Sequence, residues 1–176
     1  MSFREMTRKS VIQGECFVTD DPFLQYSTVL GSCIAVCMYE PEAKVGGMNH
    51  FLLPGSENSG SGDMKYGVYS MELLINGLLK LGADRYKLEA KIFGGGEISQ
   101  SSQKIGPKNQ AFTKKFLQNE GIPCMAENLG GAFARKLQFI PTTGKVRHML
   151  ISADESPVEN LAPAVVSPTE SDIELF

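Results

Sequence analysis

The chain contains no tryptophan and no long apolar run. No stretch of its 176 residues approaches the ~18 apolar residues that a membrane-spanning helix needs, so membrane insertion is not expected. The first ten residues carry charge without an apolar segment, which argues against a secretory signal. Four cysteines are too few and too widely spaced for a disulfide scaffold. These shortages together favour a cytoplasmic globular protein.

Basic residues are missing from the C-terminal part of the chain. After Arg147 there is no Lys or Arg, whereas residues 152–176 contain six of the 20 acidic residues. Without that segment, 17 basic and 14 acidic residues remain (20 − 6 = 14), a net charge of +3. This charge suits an acidic protein partner but is too small to indicate nucleic-acid binding. We predict one domain over 1–151 and an acidic, disordered tail over 152–176. The alternative is that the tail docks a partner through residues 173–176.

Hydrophobic periodicity predicts an α/β domain. Strands are expected near 10–18, 28–39, 44–53, from Leu88 onward, and near 122–128, 134–140 and 145–151. Apolar residues at helical spacing predict helices over 66–81 and 107–120, ended by Gly82 and Gly121, with a Gly/Ser-rich loop over 54–65. Since the helices do not alternate regularly with the strands, we expect an α+β layered sandwich with a mixed, mostly antiparallel sheet and two main helices.

The residues with the clearest chemical meaning are Cys33 and His50. Cys33 follows Gly31 and Ser32, and His50 lies 17 positions later on the next predicted strand. A free thiol is only a few per cent ionised at neutral pH, so a nucleophilic cysteine needs a base nearby. His50 is placed to be that base, and N–H groups around Ser32 and Cys33 could hold an oxyanion. From the chemistry alone, an inert core cysteine and a core histidine remain as alternatives.

The other cysteines and the second histidine are expected to have no chemical role. On a strand, Cys33 and Cys37 would lie about 13 Å apart at ~3.3 Å per residue, too far for a disulfide or a shared metal ion. On a helix they would lie one turn apart, and a zinc site with His50 would become plausible. We expect no metal and no cofactor. Packing roles are expected for Cys16, Cys37 and Cys124, and a surface or edge position for His148.

Three consecutive glycines follow the strand that begins at Leu88. A glycine-rich turn after a strand can bind phosphate, but no Lys-Ser/Thr pair follows Gly94–Gly96, so a nucleotide site is not indicated. A tight turn is the simplest interpretation. The alternative is that this segment forms a wall of the site and approaches the substrate closely.

The segment from Thr28 to Gly55, TVLGSCIAVCMYEPEAKVGGMNHFLLPG, resembles the CheD family, the chemoreceptor glutamine deamidases of bacterial chemotaxis. Further matches are LEAKIFGGG at 88–96, Ile105-Gly106 with Asn109, and Gly130-Gly131 with Arg135, so that the resemblance covers roughly residues 10–150. It implies a layered α/β fold and a catalytic pair of Cys33 and His50. In the family, a threonine six residues before the cysteine orients the histidine. That position is Ser27 here, so we expect Ser27 to have this role, with Thr28 as the alternative.

The resemblance implies hydrolysis of glutamine carboxamides in methyl-accepting chemotaxis receptors through a thioester on Cys33. It also implies a CheC-type phosphatase as a second partner. Methylesterase activity would use the same nucleophile and stays open. An alternative of another class is a regulatory module that binds receptors or a CheC-type phosphatase without catalysis. Faster alkylation of Cys33 than of the other thiols at pH 6 would favour the enzyme.

Overall fold

The computed structural model describes residues 4–53, 60–98, 104–152 and 173–175. Its elements are β1 (Thr7–Ser10), β2 (Cys16–Thr19), β3 (Leu24–Leu30), β4 (Ile34–Glu40), β5 (Val45–Phe51), α1 (Gly60–Lys80), a 3-10 turn (Arg85–Lys87), β6 (Glu89–Gly94), α2 (Ile105–Glu120), β7 (Cys124–Leu129), β8 (Ala134–Ile140), β9 (Lys145–Ile151) and β10 (Ile173–Leu175).

The strands form two five-stranded sheets. The first sheet has the order β1-β3-β8-β9-β10, and the second has the order β2-β5-β4-β6-β7. Within each sheet one pair is parallel, β1 with β3 and β6 with β7, and the other pairs are antiparallel. This confirms the predicted layered sandwich with mixed, mostly antiparallel pairing and two main helices. The strands are, however, divided between two sheets.

Strand β4 lies in the middle of the molecule with both faces covered. All seven of its residues are buried. Ile34, Val36 and Met38 share a core cluster with residues of α1 and α2, whereas Ala35 and Cys37 pack with residues of the first sheet. The layers therefore run from the helices through the second sheet to the first. Burial on both faces explains why β4 reads as a continuous apolar run.

The two helices end where the sequence indicates, but both begin earlier. Gly121, at φ +67°, caps α2 in the left-handed conformation, and its N–H donates to carbonyls of the last turn. Helix α1 begins at Gly60, so the prediction of a loop is wrong for residues 60–65, while 54–59 lie outside the described residues. Asp63 lies in the first turn, where the helix dipole favours a negative charge. The apolar stripe starts only at Val68, and periodicity therefore cannot mark the earlier turns.

Two segments that were each predicted as one strand contain two strands, and these two strands belong to different sheets. The strand predicted over 28–39 comprises the end of β3 in the first sheet and β4 in the second, with the crossing at Gly31–Cys33. The strand predicted over 10–18 divides in the same way between β1 and β2. Both flanks of the first crossing are apolar, so periodicity carries no mark of it. The crossing places Cys33 between the two sheets.

His148 belongs to the core, and the prediction of a surface or edge position is wrong. It is 1% exposed, and its ring packs against Phe93 with centroids 6.0 Å apart. In β9 the residues alternate so that Val146 and His148 face the second sheet. The backbone of β10 pairs with β9 on its other side, with Glu174 opposite His148. The rest of the predicted tail, residues 153–172 and 176, lies outside the described residues.

Candidate active site

Cys33 and His50 lie on the same face of the second sheet. Strands β4 and β5 are antiparallel, with Ala35 opposite His50. Since side chains alternate along a strand, Cys33 shares the face of Ala35, and both pack in the cluster between the sheets. Cys33 is therefore one diagonal step from His50 across the strand pair, a separation of roughly 7–8 Å between Cα atoms that side chains can bridge. The two side chains are 3% and 6% exposed.

The contacts of His50 determine which ring nitrogen carries a proton. Nδ1 lies 2.9 Å from Oγ1 of Thr28 and 3.1 Å from the backbone oxygen of Val11. The hydroxyl of Thr28 itself donates to the same Val11 oxygen, at 2.6 Å. A carbonyl oxygen can only accept, so Nδ1 carries the hydrogen and donates it toward Val11 and Thr28. In the neutral ring, Nε2 is then the basic nitrogen.

Thr28, and not Ser27, contacts His50, so the expectation for Ser27 is wrong. Along β3 the buried residues are Tyr26, Thr28 and Leu30, and Ser27 faces the opposite side of the sheet. A shift of one residue along a strand reverses the direction of the side chain. Thr28 was the alternative considered from the sequence. Its hydroxyl lies between the two sheets, where it reaches both Val11 and His50.

A turn over residues 12–15 brings a glutamine to the thiol. The Cys33 Sγ lies 3.6 Å from Oε1 of Gln13. Gln13 is exposed and Cys33 is buried, so this side chain covers the sulfur from the solvent side. Sequence reasoning missed Gln13; the available signal was Gly14, which adopts φ +91° and marks the turn.

Tyr66 of α1 is a second neighbour of Cys33 that sequence reasoning missed. Its pKa is raised, first by partial burial and then by the negative charge that the Cys33 thiolate would carry. The Tyr66 hydroxyl would lie 3.9 Å from a Cβ atom built on Gly14, so it borders the same turn. No motif pointed to Tyr66, because it belongs to the part of α1 that precedes the apolar stripe.

The backbone of Gly31–Cys33 is held by its carbonyl groups. The Gly31 oxygen accepts from the N–H of Gly96 at 3.0 Å, and the Cys33 oxygen accepts from the N–H of Gly95 at 2.8 Å. The Ser32 oxygen accepts from Nδ2 of Asn109 at 3.3 Å. In a trans peptide the N–H points away from the C=O. The N–H groups of Ser32 and Cys33 are therefore directed away from the wall formed by Gly95, Gly96 and α2.

The segment Gly94–Gly96 consists of glycines because a side chain on it would overlap neighbouring atoms. A Cβ atom on Gly94, which has φ +113°, would lie 2.0 Å from the Cys33 oxygen. The close approach is to the backbone of the site itself, and an approach of Gly94–Gly96 to a substrate stays a prediction. Arg135 holds the wall from behind, since its guanidinium donates to the oxygens of Gly94 and Gly130, each at 2.5 Å. Burial lowers the pKa of Arg135 to about 10.

The remaining cysteines differ in their surroundings. Cys37 is fully buried in β4, and burial raises its pKa far above the usual range. Cys16 is partly buried, and burial raises its pKa to about 11. Cys124 is exposed on β7, an edge strand of the second sheet, so the expected packing role is wrong for it.

In the described residues no group of three or more His, Cys, Asp or Glu could hold a metal ion. Neither described helix has the length and apolar character to cross a membrane.

A family model and curated relatives identify the same family. The family model described as CheD chemotactic sensory transduction matches residues 52–149. The probable chemoreceptor glutamine deamidase CheD of Caulobacter sp. (strain K31) is 49% identical over 171 residues, which cover 94% of this chain and 91% of the relative. The protein of the same name from Rhizobium meliloti (strain 1021) is 49% identical over 175 residues, which cover 96% of each chain. A looser likeness links the chain to Neisseria meningitidis protein NMB0706, with a TM-score of 0.46 and 9% identity over 72% of this chain and 63% of that one. From the family model and the close relatives, the chain belongs to the CheD family.

Proposed function

We propose that this protein is a protein-glutamine deamidase that converts glutamines of methyl-accepting chemotaxis receptors to glutamates in the cytoplasm. The names of the relatives support the reaction and the substrate class. One observation carries the mechanism. The Nδ1 of His50 is fixed by Thr28 and Val11, which leaves Nε2 as the base on the face that also carries Cys33.

The first half-reaction forms a thioester. Nε2 of His50 takes the proton of the Cys33 thiol, and the thiolate attacks the carboxamide carbon of a receptor glutamine. The negative charge then moves to the carboxamide oxygen, where the N–H groups of Ser32 and Cys33 can stabilise it. As the C–N bond breaks, His50 returns its proton to the leaving nitrogen, and ammonia departs.

The second half-reaction hydrolyses the thioester and leaves a glutamate side chain in the receptor. Nε2 of His50, again neutral, takes a proton from a water molecule, and the resulting hydroxide attacks the thioester carbon. The C–S bond breaks, the receptor carries a glutamate, and the sulfur regains a proton from His50. The net reaction consumes one water and releases one ammonia, with no oxidant or cofactor.

Thr28 has a positioning role in this mechanism. Its hydroxyl donates to Val11, so its oxygen is oriented to accept the Nδ1–H of His50. Both contacts keep the ring in the tautomer that the reaction needs. By family membership we also propose that the new glutamates are methylation sites that alter receptor signalling, and that a CheC-type phosphatase is a second partner.

A mass-spectrometric assay on a receptor fragment tests the proposal. Wild-type protein is expected to increase the mass of specific glutamines by about 1 Da, the replacement of NH₂ by OH, whereas Cys33→Ala produces no shift. The second variant is His50→Asn, since the Asn side-chain amide can keep a donor toward Thr28 and Val11 while it removes the basic nitrogen. Cys124→Ala, at an exposed thiol, is the matched control and should retain full activity. Full activity in Cys33→Ala or His50→Asn would eliminate this mechanism.

A further inference from the structure

We propose that Gln13 is a catalytic residue whose side-chain amide donates a hydrogen bond to the oxyanion during deamidation. This inference rests on the function proposed above and adds a residue to its machinery. Its basis is the contact between the Gln13 carboxamide and the Cys33 sulfur, 3.6 Å from Oε1 to Sγ. A donor that lies beside the nucleophile is also beside the carbon that the nucleophile attacks.

The turn that carries Gln13 is anchored on both sheets. The Glu15 N–H donates to the Ile12 oxygen at 3.0 Å, which closes the turn around Gln13 and Gly14. Toward the second sheet, the Gly14 N–H donates to the His50 oxygen at 2.7 Å, and the His50 N–H donates to the Glu15 oxygen at 3.0 Å.

On the other side of the turn, the Val11 N–H donates to the Ser27 oxygen of the first sheet at 2.8 Å. The backbone on both sides of Gln13 is thus tied to the same two strands that carry Thr28 and His50. A catalytic donor must be held in place before the reaction, and this anchoring satisfies that requirement for the backbone. The exposed side chain retains rotation about its terminal torsion.

The carboxamide suits both stages of the thiol chemistry. In the resting state the Cys33 thiol donates to Oε1. Once the thiolate has attacked the carboxamide carbon, rotation of the Gln13 amide presents Nε2–H to the oxygen of the tetrahedral intermediate. The backbone N–H groups of Ser32 and Cys33 approach from the wall side, whereas Gln13 approaches from the solvent side. Together they would surround the oxyanion.

Gln13 is itself a glutamine that lies beside the nucleophile of a glutamine deamidase. The alternative to a catalytic role is therefore that Gln13 is a substrate of its own enzyme. If Gln13 were an internal substrate, its mass would increase by about 1 Da in wild-type protein and not in Cys33→Ala. Peptide mapping of both purified proteins therefore separates the two roles. A mass shift at Gln13 that depends on Cys33 would overturn the proposal, while an unmodified Gln13 in active enzyme supports it.

The main experiment compares Gln13→Leu with Gln118→Leu. Gln118 is exposed near the C-terminal end of α2, roughly 14 Å along the helix from Asn109, which contacts Ser32, so its replacement is a matched control. Loss of a donor that acts only in the transition state should lower kcat by roughly 10²-fold and leave KM unchanged. The rate at which a small alkylating reagent labels Cys33 should stay within the range of the control. A wild-type kcat in Gln13→Leu overturns the proposal.

A pH profile of Gln13→Glu distinguishes a donor from a structural residue. Above the ordinary glutamate pKa of about 4.3, a carboxylate at this position would repel the oxyanion and offer no hydrogen. At lower pH the protonated carboxyl regains an O–H donor. The activity of Gln13→Glu relative to wild type should therefore rise as the pH falls toward about 5. A constant ratio would contradict the donor role. If wild-type protein itself fails to deamidate the receptor, the proposed function fails, and that result is distinct from failure of Gln13 alone.

Discussion

Replacing Thr28 by Val tests how the site controls its histidine. Valine keeps the shape of threonine but removes the hydroxyl, which donates to Val11 at 2.6 Å and faces the His50 Nδ1 at 2.9 Å. Each net hydrogen bond typically contributes about 0.5–1.5 kcal/mol, so the free energy of unfolding should fall by about 1–3 kcal/mol. The folded state should persist, because the side-chain volume is unchanged.

The expected effect on activity is smaller than complete loss. In Thr28→Val the Nδ1–H of His50 still reaches the Val11 oxygen at 3.1 Å, so the productive tautomer is retained. Loss of one hydrogen bond that orients the ring, about 1.4 kcal/mol, corresponds to roughly a tenfold decrease in kcat. Full loss of the tautomer would instead cost about 10⁴-fold, by analogy with a catalytic triad that loses its orienting carboxylate.

The assay is the initial rate of ammonia release from a receptor fragment, measured well below the unfolding temperature of each variant. Thr28→Ser restores the hydroxyl and should recover most of the rate. Ser27→Ala is the matched control on the opposite face of β3, and it should behave as wild type. The reasoning is refuted if Ser27→Ala loses more activity than Thr28→Val, or if Thr28→Val has the wild-type rate.

Three further predictions concern the wall and the core. Gly94→Ala should destabilise the fold and lower turnover, because a Cβ would meet the Cys33 oxygen at 2.0 Å; Gly121→Ala, also at positive φ but with nothing within 4 Å, should cost only about 1 kcal/mol in thermal unfolding. Arg135→Lys should cost about 2 kcal/mol in urea denaturation, since a point charge cannot bridge the oxygens of Gly94 and Gly130 as the guanidinium does; wild-type stability would contradict this. Burial raises the pKa of Cys16 from 9.0 to about 11, so the folded state keeps a proton that the unfolded state loses, and stability should fall as the pH rises from 9 toward 11. Cys16→Ala should show a shallower decline, and an unchanged decline would count against this assignment.

The elements that the sequence predicted well are those whose signals are local. The periodicity of α2 and the glycine after it suffice to place its C-terminal end, because a left-handed cap needs Gly121. The strands over 134–140 and 145–151 coincide with β8 and β9, since turn residues separate two regular patterns. The sequence also indicated that His50 lies on the strand next to the one that follows Cys33, and β5 does pair with β4.

The features that the sequence did not predict depend on contacts between distant segments. Whether Ser27 or Thr28 faces His50 is a difference of one residue in register, and the packing of the first sheet against the second determines which side of β3 is buried. His148 is buried because its side chain faces the second sheet and packs against Phe93, a contact between distant segments that no local pattern indicates. Gln13 belongs to the turn over residues 12–15, and it reaches Cys33 because the backbone of this turn is hydrogen-bonded to β3 and β5.

The most direct test of the account is the pH dependence of Cys33 alkylation, in wild type and in His50→Asn. If His50 takes the thiol proton, wild-type Cys33 should react at pH 6 while the buried Cys37 stays unlabelled. Peptide mapping distinguishes labelling of Cys33 from labelling of the exposed Cys124. In His50→Asn, Cys33 should react only at higher pH, as an ordinary thiol does. Identical pH profiles in the two proteins would show that the sulfur and the imidazole do not share a proton, and the proposed mechanism would be contradicted.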